Sequence, residues 1–168
     1  MCKLIVYSML VLTVFLLTSC SLEGSRTDML NKNDEEKTAD SRIEQIIEAI
    51  KNQEKQAIKD MFSEQAQNEA KALDDEINYL LALVEGNIES WEKIGGSVGE
   101  SDDYGHIKIK SRFRYNVYTD KEEYLFSILE YTKDTDNPDN VGVYSIKAIN
   151  VKNEEPVFSD AGIYKPEE

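Results

Sequence analysis

One stretch of the sequence, HIKIKSRFRYNVY at residues 106–118, alternates between polar and apolar side chains along almost its whole length. A two-residue period is typical of a β-strand with one face on the core and the other in solvent. The first face carries His106, Lys108, Lys110, Arg112, Arg114 and Asn116, and the second carries Ile107, Ile109, Ser111, Phe113, Tyr115 and Val117. The fold must therefore cover one side of this strand and leave a basic stripe on the other.

Further strands are predicted on both sides of this stretch. A shorter strand is expected at residues 89–94, closed by Gly95 and Gly96. A turn at residues 119–121 leads to EEYLFSILEYTKD, and the loop TDNPDN leads to NVGVYSIKAINV. Turn residues between short apolar-rich segments are typical of antiparallel hairpins. These patterns predict an antiparallel meander after residue 88.

The residues before the sheet have helical spacing. Ser41 and Glu44 fit a capping box, and isoleucines follow at positions 43, 46, 47 and 50. A short second helix is predicted with Ala57, Ile58, Met61 and Phe62 facing inward, and a third at residues 64–85. The third could also fit a coiled coil, but its apolar pattern lasts fewer than three heptads. Helices followed by strands predict an α+β domain, with N-terminal helices packed on a curved antiparallel sheet.

The chain begins with a short apolar run. Residues 4–17 follow Lys3 and would span about 21 Å as a helix, less than the ~30 Å hydrocarbon core. The order Leu17-Thr18-Ser19-Cys20 resembles the bacterial lipobox, which implies cleavage after Ser19 and a diacylglyceryl group on Cys20. An ordinary membrane anchor is the alternative. We predict a lipoprotein signal peptide at residues 1–19 and attachment to the outer face of the bacterial cell membrane.

Composition excludes several classes of function. The chain has 33 acidic and 19 basic residues, a formal charge of −14, and such a surface repels nucleic acid and anionic headgroups. Membrane association must therefore come from the lipid on Cys20. Cys2 would leave with the signal peptide, so no disulfide, thiolate metal site or cysteine nucleophile is expected. Residues 20–39 are polar and predict a disordered tether before a single domain at residues 40–168.

A family resemblance rests on four segments. These are the opening helices IEQIIEAIKNQEKQAIKDMFS, the tryptophan segment ESWEKIGG, the long hairpin and the tail DAGIYKP. Together they resemble a family of Gram-positive lipoproteins whose shared domain has no assigned function. The resemblance covers roughly residues 40–166 and implies a fold similar to nuclear transport factor 2, the cystatin-like cone. It implies no catalytic residues, because that fold serves both enzymes and binding domains.

An enzyme in such a cone would need an inward carboxylate and a hydrogen-bond donor. Tyr115 could donate, Ser111 could leave a gap, and either Glu123 or Glu130 could point inward, since strand parity is open. The alternative is that the tyrosines are core residues. His106, the sole histidine, is expected at the surface. We predict no catalytic residue and no cofactor.

No metal is predicted either. The segment DTDNPDNVG gathers acids and amides, but Pro138 and Asp139 stand where an EF-hand loop has Asp or Asn and then Gly. This segment is better interpreted as a hairpin connection.

The basic stripe of Lys108, Lys110, Arg112 and Arg114 has two interpretations. It is either a solvated face paired with acids on neighbouring strands, or a docking face for an acidic partner or a second copy of the chain. We expect a lipid-anchored, extracytoplasmic, non-catalytic domain that binds a small apolar ligand in its cone or a protein on its sheet. The alternatives are an isomerase- or dehydratase-like enzyme and an inhibitor or immunity protein.

Overall fold

A computed structural model describes residues 22–152 and 162–163 of the chain, with side chains from residue 32 to residue 152. The chain divides into two units, residues 1–36 and residues 37–168. In the first unit, residues 22–36 are helical. The predicted signal peptide, with Ser19, and the predicted lipidation site Cys20 lie outside the described residues.

Four helices come first. They are α1 (Leu22–Lys51), α2 (Lys55–Met61), α3 (Glu64–Glu69) and α4 (Leu73–Leu83). The buried stripe of α1 consists of Ala39, Ile43, Ile46, Ile47 and Ile50, which recur at helical spacing. Each buried isoleucine contributes about 1.5–3 kcal/mol, so this stripe is a main source of the helix's stability. Within residues 22–152, no helix is long and apolar enough to cross a membrane.

The strands follow in one sheet. They are β1 (Ile88–Asp103), β2 (His106–Thr119), β3 (Glu123–Asp134), β4 (Gly142–Asn150) and β5 (Gly162–Ile163), with a short 3-10 helix at Pro138–Asn140. The order is β1-β2-β3-β4-β5, and the first four strands run antiparallel while β5 pairs with β4 in parallel. Helices followed by an open antiparallel sheet confirm the predicted α+β class, while the cone of the nuclear transport factor 2 fold remains a prediction.

The core lies on the sheet face that the apolar parity of β2 predicts. Tyr115, Tyr124 and Phe126 are each at most 1% exposed, and they lie side by side on β2 and β3. The same face of β4 adds Val143, Ile146 and Ala148, also buried. The two-residue period therefore continues across neighbouring strands, which gives one continuous apolar layer.

The predicted helix start at Ser41 is wrong. Helix α1 begins at Leu22, so the predicted tether is helical from that residue onward. Ser41 lies in the helix interior, where its hydroxyl accepts a bond from the Gln45 amide at 3.4 Å. The residues before it include many Glu and Lys and contain neither proline nor glycine after Gly24, so nothing in them stops a helix.

The predicted third helix at residues 64–85 is divided in two. Ala70 has extended backbone angles and ends α3, and α4 begins after Ala72. The two pieces pack differently: both contact β4 and β5, but α3 also contacts the 3-10 helix, whereas α4 contacts α2. Helical propensity alone cannot reveal this break, because tertiary packing decides it.

The first strand is much longer than predicted. β1 continues past Gly95 and Gly96 to Asp103, and only Tyr104 and Gly105 lie in the turn before β2. Both turn residues have positive φ, 52° and 91°, as a tight two-residue hairpin requires. β2 offers a pairing partner over its full length, which outweighs the poor strand propensity of glycine.

Two glycines of β1 give a test of this packing. A Cβ at Gly96 would lie 2.1 Å from the buried Phe113 ring, whereas a Cβ at Gly99 would lie 3.8 Å from its nearest neighbour, the Lys110 carbonyl oxygen. We expect Gly96→Ala to destabilise the fold by about 1–3 kcal/mol through overpacking. Gly99→Ala should be neutral or stabilise by up to about 1 kcal/mol. Urea denaturation measures both, and equal effects of the two substitutions would contradict this packing.

Candidate functional site

The basic stripe lies on the outer face of β2, as the sequence predicts. Lys108, Lys110 and Arg114 are exposed and Arg112 is half-buried, while the alternate residues Ser111, Phe113, Tyr115 and Val117 are buried. Residues at i and i+2 on one strand face are about 6.7 Å apart, so the four cations form a line about 20 Å long. The parity of β2 therefore produces a straight row of positive charge.

Small residues of β1 lie beside this row. The register places Ser101, Gly99, Ser97 and Gly95 opposite Lys108, Lys110, Arg112 and Arg114, respectively. On the β3 side, Tyr131, Leu129 and Ser127 lie opposite Lys110, Arg112 and Arg114. On the β1 side, the stripe is therefore flanked by small glycine and serine residues, with no acidic residue among them.

The cations differ in their pairing. Lys108 contacts the Asp134 carboxylate at 3.1 Å, and this hydrogen bond and charge raise the pKa of Lys108. Lys110 and Arg114 form no ion pair within the described part of the chain. Pairing with neighbouring acids, one of the two interpretations of the stripe, therefore applies to Lys108 but not to Lys110 or Arg114.

Asp134 is also the centre of the DTDNPDN loop. Its buried carboxylate accepts bonds from the Asn140 amide and the Asn137 backbone N–H, each at 3.1 Å. The Asn140 bond is the main cause of the lowered pKa of Asp134. Among residues 22–152, no group of three or more His, Cys, Asp or Glu side chains could hold a metal ion. The Asp134 carboxylate thus ties both ends of the hairpin connection together.

His106 lies at the exposed start of β2. Its Nδ1 contacts the Asp136 carboxylate, and this hydrogen bond raises the pKa of the imidazole. Both side chains are more than half exposed. This position agrees with the expected surface residue, at the hairpin turn and away from the buried face.

The structure resolves the parity of β3, which the sequence left open. Glu130 is 4% exposed on the buried face, opposite Ser111, whereas Glu123 lies on the outer face opposite Tyr118. Arg42 of α1 binds the Glu130 carboxylate through Nη2 at 2.6 Å and Nε at 3.1 Å. Gln45 accepts a further bond from Arg42 Nη1 at 2.8 Å. The inward carboxylate is therefore held in an ion pair.

The hydroxyl of Tyr115 is also engaged. It donates to Asp40 of α1 at 3.1 Å, and the other oxygen of Asp40 accepts from Lys93 of β1 at 3.1 Å. Trp91 packs edge-on against the Tyr115 ring, with centroids 5.5 Å apart. The Arg42–Glu130 ion pair and the Tyr115–Asp40 hydrogen bond therefore hold α1 against the sheet. They are not arranged as a base and a donor around an empty space.

Two adjoining clefts lie where α1 ends and β1 begins. Their volumes are about 380 and 430 Å³, and both include Lys51 and Ile88 in their walls. Ile47 and Trp91 contribute apolar surface to the larger one, and Glu44, Glu48 and Glu89 place charge around it. The walls of these clefts therefore combine apolar and charged side chains.

Sequence reasoning missed two groups of residues at this sheet. Asp40 and Arg42 lie at the boundary between the predicted tether and the predicted domain, and Lys93 lies in the short strand predicted at residues 89–94. The small residues 95, 97, 99 and 101 recur at a strand period, but the two adjacent glycines at 95 and 96 predict a strand end before this signal begins.

The Arg42–Glu130 pair gives a testable prediction. The side chain of Glu130 is 5% exposed and that of Arg42 is 20% exposed, so Arg42→Ala would leave a nearly buried carboxylate without its cation. We expect a loss of about 3 kcal/mol in the free energy of unfolding, measured in urea. The double variant Arg42→Met, Glu130→Leu should recover most of this loss, because it removes both charges at once. A loss below about 1 kcal/mol for Arg42→Ala would indicate a surface-like pair.

Comparison with known proteins identifies a family for this domain. No curated protein matches the chain. The family described as a domain of unknown function, DUF5104, matches residues 45–151, which include the Ile46–Ile50 part of the α1 stripe and strands β1 to β4. This match covers more than half of the chain, which therefore belongs to the DUF5104 family.

Proposed function

We propose that this protein is a lipid-anchored, extracytoplasmic and non-catalytic binding domain that binds an acidic protein partner through the basic stripe of β2. The proposal rests on one observation, the exposure of Lys110 and Arg114 without an ion pair in the described part of the chain. Both are exposed, and within the described residues neither forms an ion pair. The chain has 33 acids against 19 basic residues, yet no acid lies directly opposite Lys110 or Arg114 on the neighbouring strands.

The residues around the stripe favour a docking face over a face that is only solvated. Cross-strand pairing of opposite charges stabilises a sheet, and an acidic residue opposite Lys110 or Arg114 would supply it. Glycines occupy those positions instead, Gly99 and Gly95. The cations therefore keep their charge available to a partner, at the cost of a stabilising pair within the sheet.

The other expected functions have less support. An isomerase- or dehydratase-like enzyme would use Glu130 as the base, but Arg42 and Tyr115–Asp40 contacts occupy the groups that the chemistry needs. A small apolar ligand would need the space that Tyr115, Tyr124 and Phe126 fill. An inhibitor or immunity protein against a basic toxin would use the acidic surface rather than this stripe.

The membrane anchor is the second part of the proposal. Thr18 and Ser19 precede Cys20 after an apolar run, which is the order that a lipobox requires. The acidic surface would be repelled by anionic headgroups, so stable attachment needs a covalent lipid with two chains. Attachment would place the domain at the outer face of the membrane.

A substitution at Cys20 tests the anchor. When the full chain is produced in a Gram-positive bacterium fed a fatty acid with a clickable tag, we expect the tag on the protein and the protein in the membrane fraction. Cys20→Ser should abolish both, because a serine hydroxyl does not form the thioether. Cys2→Ser is the matched control and should change neither. Tagging of the Cys20→Ser chain would refute lipidation at this residue.

Charge reversal tests the binding surface. The probe is fluorescent poly-L-glutamate, titrated against the full chain in detergent and followed by anisotropy. Arg112→Glu with Arg114→Glu should weaken binding by at least about tenfold, which corresponds to about 1.4 kcal/mol. Lys55→Glu with Lys121→Glu produces the same change of net charge on exposed residues elsewhere.

Equal weakening by the control pair would mean that net charge, rather than the stripe, determines binding. Retained binding in the stripe variant would refute the proposal. Light scattering on the same variants tests whether the partner is a second copy of the chain. If the chain is dimeric and only the stripe variant is monomeric, the acidic partner is a second copy.

A further inference from the structure

β1 is the first strand in the sheet order, and within residues 22–152 and 162–163 no strand pairs with its outer edge. It is 16 residues long, and its part from Gly96 to Asp103 pairs with β2 without a register shift. The outer edge of such a strand presents backbone N–H and C=O groups that can pair with another extended chain. This edge lies next to the small residues that flank the basic stripe.

The fold gives no reason for glycine at position 99. Gly96 is required because a Cβ would collide with Phe113, but a Cβ at Gly99 would meet nothing closer than 3.8 Å. Glycine weakens a strand interior and often marks a place where a ligand or another backbone approaches closely. Side chains of a ligand that reach across the outer face of β1 would account for this residue.

The distances suit an added strand. Neighbouring strands are about 4.8 Å apart, so a segment paired with the free edge of β1 would lie about 10 Å from β2. Glutamate side chains of that segment and the long side chains of Lys110 and Arg114 can meet across this distance, because only Gly95, Ser97 and Gly99 lie between them. Alternate residues of an extended segment repeat every ~6.7 Å, the spacing of the cations.

We propose that the partner contributes an extended acidic segment, with carboxylates at alternate positions, that adds as a strand to the free edge of β1. This inference rests on the proposed function and names the form of its partner. Backbone pairing with β1 provides affinity, and the cations of β2 select the alternating carboxylates. Glu92 and Asp103 stand on the same face at the two ends of the small-residue strip, so their repulsion confines the carboxylates to the stretch between them.

The test uses two synthetic peptides of about nine residues with the same composition. One alternates glutamate and threonine, and the other carries its glutamates in one block. Each is labelled and titrated against the full chain in detergent by anisotropy. We expect the alternating peptide to bind at least about tenfold more tightly, and to slow amide hydrogen exchange at residues 95–101 when bound.

Gly99→Val places a side chain on the path of the glutamates and should weaken the alternating peptide by at least about tenfold. A valine fits the strand, so the thermal midpoint of unfolding should stay the same or rise. Ser90→Val is the matched control, on the same strand face opposite Tyr118, and should leave binding unchanged.

The outcomes separate this inference from the proposed function. If the stripe reversal abolishes binding but both peptides bind equally and Gly99→Val has no effect, the stripe binds acidic partners and strand addition is wrong. If the stripe reversal has no effect on either peptide, the proposed function fails as well. Slowed exchange at residues 95–101 with loss of binding in Gly99→Val supports strand addition.

Discussion

The two-residue period of β2 is the constraint on which the rest of this structure depends. It places Phe113, Tyr115 and Val117 in the core and the cations in solvent, and a slip of one residue would exchange the two sets. Burying four cations and exposing three large apolar side chains would cost far more than the few kcal/mol by which proteins are stable. The register of β1 and β3 against β2 then extends this division over the whole sheet.

Hydrophobic burial has no direction, so it cannot by itself fix how α1 lies on the sheet. Polar contacts on the two sides of the isoleucine stripe fix this orientation. Asp40 reaches Lys93 and Tyr115 on the β1–β2 side, and Arg42 reaches Glu130 on β3. Rotation of α1 about its axis would break one of these pairs and leave a charge near the core without its partner. Tyr115 and Glu130 are thus both engaged in contacts that orient this helix.

The sequence predicts the fold class, the core face of β2 and the exposure of the basic stripe, because each follows from local periodicity. It does not predict where β1 ends, since the pairing with residues 106–119 that sustains that strand is non-local. Nor does it predict the inward position of Glu130, because both faces of β3 carry apolar residues and only the pairing with β2 decides between them. The sequence does not predict the role of Arg42 for a related reason. A cation partner can be sought only after the buried carboxylate of Glu130 has been located.

The charge distribution also bears on how an acidic partner could bind to an acidic protein. At physiological ionic strength, charges are screened beyond about 8 Å, so the net charge of −14 repels a partner only weakly at long range. At contact, the acidic partner that we propose would meet the local charges of Lys110 and Arg114. Higher salt weakens both effects, but it weakens the long-range repulsion more. Binding at the proposed surface would depend on close approach, which the short side chains at Gly95, Ser97 and Gly99 would permit. On this proposal, the small residues are as much a part of the surface as the cations beside them.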